Sequence, residues 1–182
     1  KFIYLSTAHV YADPLAGIFN EDSFPKNLHP YATSHLAGEY AVLLASQRGH
    51  FSGMVLRLSN AFGKPMHQEV NCWMLLVNDL CRQAVQTRQL TLRGNGEEQR
   101  DFISVSEVCR VVELLLVKDV AFRQSGVFNV GSGVSQSVME MTQIVQQRCQ
   151  RVLGFEPDLS PIKNSDNNRA KPLVYQINRL KK

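Results

Sequence analysis

The chain lacks any apolar run approaching the ~20 residues that a membrane-spanning helix requires, so no helical span is expected. No secretory leader pattern stands at its opening, which begins abruptly in the apolar run Phe2-Ile-Tyr-Leu5. No two of its four cysteines (Cys72, Cys81, Cys109, Cys149) form a CxxC pair. That spacing excludes the usual metal and dithiol motifs, and reduced, buried thiols in a cytoplasmic protein are expected. Strong charge of one sign is also missing. The net charge of +4 is spread along the chain, with a mild excess in Lys163–Lys182, which holds six of the twenty Lys and Arg. No recognition motif accompanies that charge, so a nucleic-acid partner is not expected. Internal repeats and low-complexity tracts are absent. Nowhere does a strand run into G-x-G-x-x-G or G-x-x-G-x-x-G opening a helix, the phosphate cradle of a dinucleotide fold. Gly131-Ser-Gly133 is too short and lacks the third glycine.

What is present is a globular balance, 44% hydrophobic and 20% charged, over the length of one domain. Phe2–Leu5 has the length of a buried strand, and Met54-Val-Leu-Arg-Leu58 reads as a second. Between them the segment to Pro30 is rich in breakers (Asp13-Pro14, Gly17, Asn20, Pro25, His29-Pro30) and reads as loop. Leu36, Tyr40, Leu43 and Leu44 recur at helical spacing, predicting a helix from about Tyr31 to Gln47 with Gly49 as its stop. A helix is expected from about Cys72 to Val85, and a short strand at Leu90–Arg93 before Gly94-Asn-Gly96. Another helix runs to about Leu116, capped by Ser104 with Glu107 or by Ser106. Val127–Val130 is a strand, and Ser137 with Glu140 opens a helix toward Leu153 at capping-box spacing. From Glu156 the chain is polar and poorly periodic, and Trp73 with its neighbouring methionines reads as core. Strands alternating with helices, two strands being continuous apolar runs, predict an α/β fold with a mostly parallel sheet.

The sharpest chemical signal is Tyr31 followed four residues later by His35. Positions four apart share one helix face, so phenol and imidazole can serve one site. A tyrosine that exchanges a proton near neutral pH needs help, because its ordinary pKa is about 10, and a neighbouring cation favours phenolate.

Five segments in order resemble the extended short-chain dehydrogenase/reductase family of NAD-dependent nucleotide-sugar epimerases and dehydratases. They are Ser6-Thr-Ala-His-Val-Tyr11, Tyr31-x-x-x-His35-x-Ala-Gly-Glu39, Arg57-Leu-Ser-Asn-Ala-Phe-Gly63, Gly94-Asn-Gly96 with Arg100-Asp-Phe102, and Asn129-Val-Gly-Ser-Gly133. The resemblance implies a partial Rossmann-like, doubly wound parallel sheet plus a small α/β substrate-binding subdomain. Residues 1–63 would carry the C-terminal part of the Rossmann-like domain, and 64–182 mainly the substrate subdomain, with Rossmann elements returning at about 100–130. The first strands and the glycine-rich loop would precede Lys1, with room for a last strand and helix beyond Lys182.

The resemblance also assigns roles. Thr7 falls where the catalytic hydroxyl bonds the sugar hydroxyl being oxidised, the alternative being a cap on the strand end. Tyr31 falls on the general base that takes the proton during transient hydride transfer at a sugar carbon to NAD or NADP. Its alternative is a packed helix-start residue. His35 stands at the family's Lys position, which lowers the tyrosine pKa and holds the nicotinamide ribose; it is either a cofactor contact or a tolerated substitution. Asn60 and Arg100 match the residues that hold a nucleotide-sugar diphosphate, for which the planar guanidinium fork is well suited. For Arg100 a salt bridge to Asp101 or Glu107 is the alternative. Asn129 is a further substrate-pocket residue or a turn former, and Trp73, read as core, has a uracil or sugar platform as its alternative. No metal site is implied, and the full-length protein would be a homodimer.

Two departures matter. His35 replaces lysine, and Ala8-His9 replaces the acidic pair with which the family's sugar 4,6-dehydratases eliminate water. Epimerase or reductase chemistry in polysaccharide or nucleotide-sugar metabolism is therefore favoured over dehydration. The rival is a member whose redox chemistry is impaired, acting as a nucleotide-sugar-binding or structural subunit. A self-contained α/β binding domain is a third reading, set against by the exposed sheet edge it would leave.

Overall fold

In a computed structural model, residues 1–117, 126–160 and 171–180 of the chain are described. The chain runs β1 (Phe2–Thr7), a 3-10 turn (Ala8–Val10), β2 (Gly17–Phe19), α1 (Pro30–Gln47), β3 (Gly53–Leu58) and β4 (Asn60–Phe62). It continues through α2 (Leu76–Thr87), β5 (Gln89–Leu90), β6 (Gln99–Ser104), α3 (Val105–Val117) and β7 (Gly126–Val130). Then come β8 (Ser135–Ser137), α4 (Val138–Leu153), β9 (Asp158–Leu159) and β10 (Leu173–Tyr175). The chain divides into two compact units, one of Lys1–Ala61, Asp101–Ser135 and Leu173–Lys182, the other of Phe62–Arg100 and Gln136–Pro172. The expected boundary at 63/64 thus falls at 61/62, and the chain from Leu173, left in the substrate subdomain by the sequence reading, lies in the first unit.

The first unit is built on a parallel sheet in the order β1–β3–β7. Strand β3 is central and buried almost end to end, which is why its sequence is apolar on both faces. The strand's period of two divides its side chains between two helices. Met54 and Leu56 join Phe128 and Val130 under Ile103, Val108 and Leu115, a core roofed by α3. On the opposite face Gly53 lies against Val42 and Ser46 of α1, and Arg57 reaches Glu39 of the same helix. Helices on both faces of a parallel sheet make the doubly wound arrangement that the alternating pattern predicts.

Three polar residues cross this sheet in one row. Ser6 of β1 pairs with Arg57 of β3, and Arg57 pairs with Asn129 of β7. All three are buried. Buried polar groups must be satisfied, and here they are met from outside the sheet. Glu39 accepts from Ser6 Oγ at 2.5 Å and from Arg57 Nε and Nη2 at 3.0 and 2.6 Å. Asn129 Oδ1 accepts from the hydroxyls of Tyr11 (2.7 Å) and Tyr175 (3.1 Å), while its Nδ2 donates to the Gln176 carbonyl at 3.0 Å.

The sequence reading differs from the structure where strands are short. The segment read as loop contains β2, which pairs in parallel with β10 of the tail. Phe19, Leu173 and Tyr175 then close a small core over Val10 and Tyr11. Helix α2 begins at Leu76, four residues later than expected, and the strand expected at Leu90–Arg93 is Gln89–Leu90, paired with β9. The caps were the local features, and both hold. Ser137 and Glu140 make a reciprocal capping box, and Ser104, not Ser106, accepts from the Glu107 backbone at 3.2 Å. Cys72 and Cys149 are buried, but Cys81 and Cys109 are exposed, so the expectation of uniformly buried thiols is corrected. Among the described residues no helix is long and apolar enough to cross a membrane.

The ion pair in the polar row carries a clear expectation. Glu39→Ala leaves the Arg57 guanidinium buried and unpaired, which costs about 3–5 kcal/mol. Replacing both, Glu39→Met with Arg57→Leu, should recover much of that loss. Urea unfolding measures it, and a single-mutant loss below about 1 kcal/mol contradicts the account.

Candidate functional site

Helix α1 starts with Pro30, and His29 is its cap, with Nδ1 accepting from the Tyr31 N–H at 3.2 Å. Tyr31, His35 and Glu39 follow at steps of four and so line one face. Tyr31 is 52% exposed and meets the His35 ring edge-on, with centroids 4.7 Å apart. On its other side His35 faces the Tyr4 ring at 6.1 Å. Next along the face, Gly38 lets the Tyr4 hydroxyl press against the helix where any side chain would collide. The phenol and imidazole that spacing places together do meet, and two further turns of contact set the helix against β1.

The other residues expected at the site take definite partners. Thr7 is buried at the end of β1, and its Oγ1 accepts from the His9 N–H at 3.2 Å, capping the 3-10 turn. An oxygen used as an acceptor keeps its own hydrogen for another partner. Asn60 Nδ2 donates to the Asp101 carbonyl at 3.0 Å. Asn129 is fully buried in the polar row with both ends of its amide engaged. Arg100 belongs to the second unit and forms a two-point bond with Glu98, Nε to Oε1 at 3.1 Å and Nη2 to Oε2 at 2.9 Å. Its partner is Glu98 rather than Asp101 or Glu107. Asp101 is instead spent on the Gly131-Ser-Gly133 turn, accepting from the N–H groups of Ser132 (2.8 Å) and Gly133 (2.7 Å). Two segments 30 residues apart in the motif series are thus one structural element.

The second unit holds its own pocket, of about 380 Å³, lined among others by Trp73, Leu92, Arg93, Gly94, Glu98 and Arg100. Trp73 is 38% exposed and forms part of this wall, so its reading as core is corrected. The glycine turn at the pocket is built into the backbone. Gly96 has φ +77° with Met139 packed on it, and its carbonyl accepts from Met139 N at 2.9 Å, tying the turn to α4. Among the described residues no group of His, Cys, Asp or Glu is placed to hold a metal ion.

Sequence reasoning named Glu39 and Arg57 only as members of the matching segments, without a role, and overlooked Glu98. An arginine inside the otherwise apolar Met54–Leu58 was the signal, because a buried guanidinium demands a carboxylate. Burial opposes its charge and is the largest influence, yet the hydrogen bonds and charge of Glu39, with Tyr11, outweigh it and push its pKa up. Arg57 also lies over the Tyr11 ring, 4.7 Å from the centroid. Burial raises the Tyr11 phenol despite that cation, and raises Tyr175 further.

A doubly wound α/β unit with a tyrosine and an imidazole on the helix after its first strand defines the class as a short-chain-dehydrogenase type of fold. Residues 1–131 match the NAD dependent epimerase/dehydratase family. The chain belongs to that family. It is 24% identical over 149 residues to a dTDP-glucose 4,6-dehydratase of Streptomyces niveus, covering 82% of this chain and 42% of the relative. Among solved structures, epimerase Mth375 of Methanothermobacter thermautotrophicus superposes with a TM-score of 0.77 at 22% identity, covering 99% of this chain and 52% of that one. A UDP-glucuronic acid 4-epimerase of Bacillus cereus, in complex with UDP-glucuronic acid and NAD, gives 0.73 at 22%, covering 98% and 53%. The chain thus spans about half the length of the proteins it matches.

The buried phenols set an alkaline limit. Their folded pKa values lie above the ordinary ~10, so the stability they carry is full below pH ~10. It drains as pH rises through the raised values, because only the unfolded chain ionises there. Melting temperature should fall steeply above pH ~10, in step with tyrosinate absorbance. Tyr175→Phe should flatten that fall while costing ~1 kcal/mol at neutral pH; an unchanged slope refutes the assignment.

Proposed function

We propose that this chain carries the proton-transfer helix and the nucleotide-sugar pocket of an NAD(P)-dependent nucleotide-sugar epimerase or reductase. The observation that carries the reading is the Tyr31–His35 pair, in edge contact at 4.7 Å on a helix anchored beside the strand that ends in Thr7. The sugar hydroxyl to be oxidised would accept from the Thr7 hydroxyl, whose oxygen is already held by the His9 N–H. Tyr31 would take its proton. Ala8 is small, apolar and buried, so no acid follows Thr7 to expel water from the sugar, which sets the reading apart from dehydration.

The residues present fit the nicotinamide end of the cofactor. His35 Nδ1 is buried without a partner, so a hydrogen bond to a ribose would come from Nε2. NAD or NADP, when bound, supplies the acceptor for the hydrogen removed from the sugar carbon. The pyrophosphate cradle is not among these 182 residues, so this chain should bind NAD poorly; micromolar affinity by calorimetry contradicts the reading. For the substrate, the second unit offers Arg100 and Arg93 at one pocket. UDP should bind there weakly, and Arg100→Ala should cost ~1.5–3 kcal/mol, the scale of a charge-assisted hydrogen bond. An affinity unchanged by that substitution places the diphosphate elsewhere.

His35 supports the second reading, a redox-impaired binding subunit, because a neutral imidazole gives a phenol little electrostatic help. The two are separated in the full-length protein by a pH–rate profile with NADH absorbance as readout. His35→Lys should raise turnover toward lower pH, and Tyr31→Phe should abolish it with nucleotide-sugar binding kept. Turnover that survives Tyr31→Phe sinks the mechanism. No turnover in any variant favours the binding subunit. The homodimer would rest on the outer face of α1, where the side chains of Tyr40 (58%) and Leu44 (47%) are exposed. Tyr40→Glu should yield monomer in sedimentation if that face is the contact.

A further inference from the structure

We propose that Trp73 is the stacking platform for the flat base of the ligand in the second unit's pocket; this rests on the nucleotide reading above and adds the residue that grips the base. Trp73 is the chain's one tryptophan, placed in the turn just before α2 and forming part of the pocket wall. A half-exposed indole on a loop is normally costly to leave in water and costly to order on binding. Here α2 has already ordered it. The Arg82 guanidinium lies over the ring, 5.2 Å from its centroid, and Arg82 is itself ion-paired with Asp79. Asp79 is fixed in turn by Gln83, whose Nε2 donates to it at 2.8 Å, and Gln83 Oε1 accepts from the Thr91 N–H at 2.7 Å. Side chains of α2 and the backbone just after β5 thus brace one aromatic plane at the edge of the cavity.

The chemistry of the rest of the pocket matches a ligand that is flat at one end and anionic at the other. Arg93 and Arg100 supply the cationic groups, and Gly94 leaves open space at its Cα. Glu98 already holds two of the Arg100 donors, so the phosphate end is partly neutralised. Stacking must then carry a large share of the affinity. A π-face is common to every base, so the platform strengthens binding without choosing between pyrimidine and purine. Its loss should weaken binding on the order of ten- to a hundred-fold, the span measured for single base–aromatic contacts.

The single tryptophan makes the test direct. Trp73 emission of the 182-residue chain is followed while UDP, GDP or inorganic pyrophosphate is added, with calorimetry in parallel. UDP and GDP should quench it saturably and pyrophosphate should not. Trp73→Leu should weaken UDP by ten-fold or more with pyrophosphate affinity unchanged, and Trp73→Phe should keep most of the UDP affinity and a native melt, showing that the fold is not at issue. UDP binding that needs Arg100 but leaves Trp73 emission unchanged, or that equals pyrophosphate binding, overturns the platform and leaves the nucleotide reading standing. Calorimetry that finds no binding of any of the three overturns both.

Discussion

The first unit depends on one carboxylate. Glu39 is fully buried, and it is the point where a helix, the central strand and the first strand are joined, through Arg57 Nε and Nη2 and through Ser6 Oγ. An ion pair taken out of water gains little net stability, but it tolerates no sliding of its partners. Because His35 and Tyr31 lie one and two turns back on the same face, the geometry that satisfies Glu39 also fixes where the imidazole and phenol stand relative to the end of β1. Apolar packing alone would permit the helix to shift by a fraction of a turn at small cost. The buried charge does not.

How much of this was legible in the residues follows from the range of the interactions. The capping box at Ser137 and Glu140 and the helix opening at Pro30 are written within four residues, so a linear reading finds them. The parallel sheet follows from apolar runs of strand length. The pairing of β2 with β10 joins two three-residue strands more than 150 positions apart, one among breakers and the other in a polar tail, and no local signal marks either. The same limit applies to the site. Tyr31 and His35 are four residues apart and were readable as a pair. That Asn129 accepts from two tyrosines, that Asp101 serves the Gly131–Gly133 turn and that Arg100 is held by Glu98 depend on which strands are neighbours. Arg57 was half legible: its burial could be inferred from its flanks, its partner could not.

The two units divide the candidate site residues between them. The first holds Tyr31 and His35, on elements whose buried polar atoms are, among the described residues, nearly all paired. Its exceptions are the His35 ring nitrogen Nδ1, Arg57 Nη1 and Ser59 Oγ. The second holds a pocket whose charges are already partly matched and whose aromatic wall is braced from behind. The cavity-lining residues of α2 and of the turn at Gly94–Gly96 belong to the second unit, and Glu39 and its partners belong to the first.

The position of Tyr175 has a consequence for the timing of synthesis. Its hydroxyl bonds the Arg57 carbonyl at 2.7 Å and Asn129, and Leu173 pairs beside Gly17, so the innermost polar row of the first unit stays incomplete until residue 175 has emerged from the ribosome. The segments of the second unit, Phe62–Arg100 and Gln136–Pro172, are all made before that moment. Translation therefore completes the segments of the second unit before those of the first. Strands β3 and β7 wait, with the Arg57 carbonyl and the Asn129 amide half satisfied, for some of the last residues described.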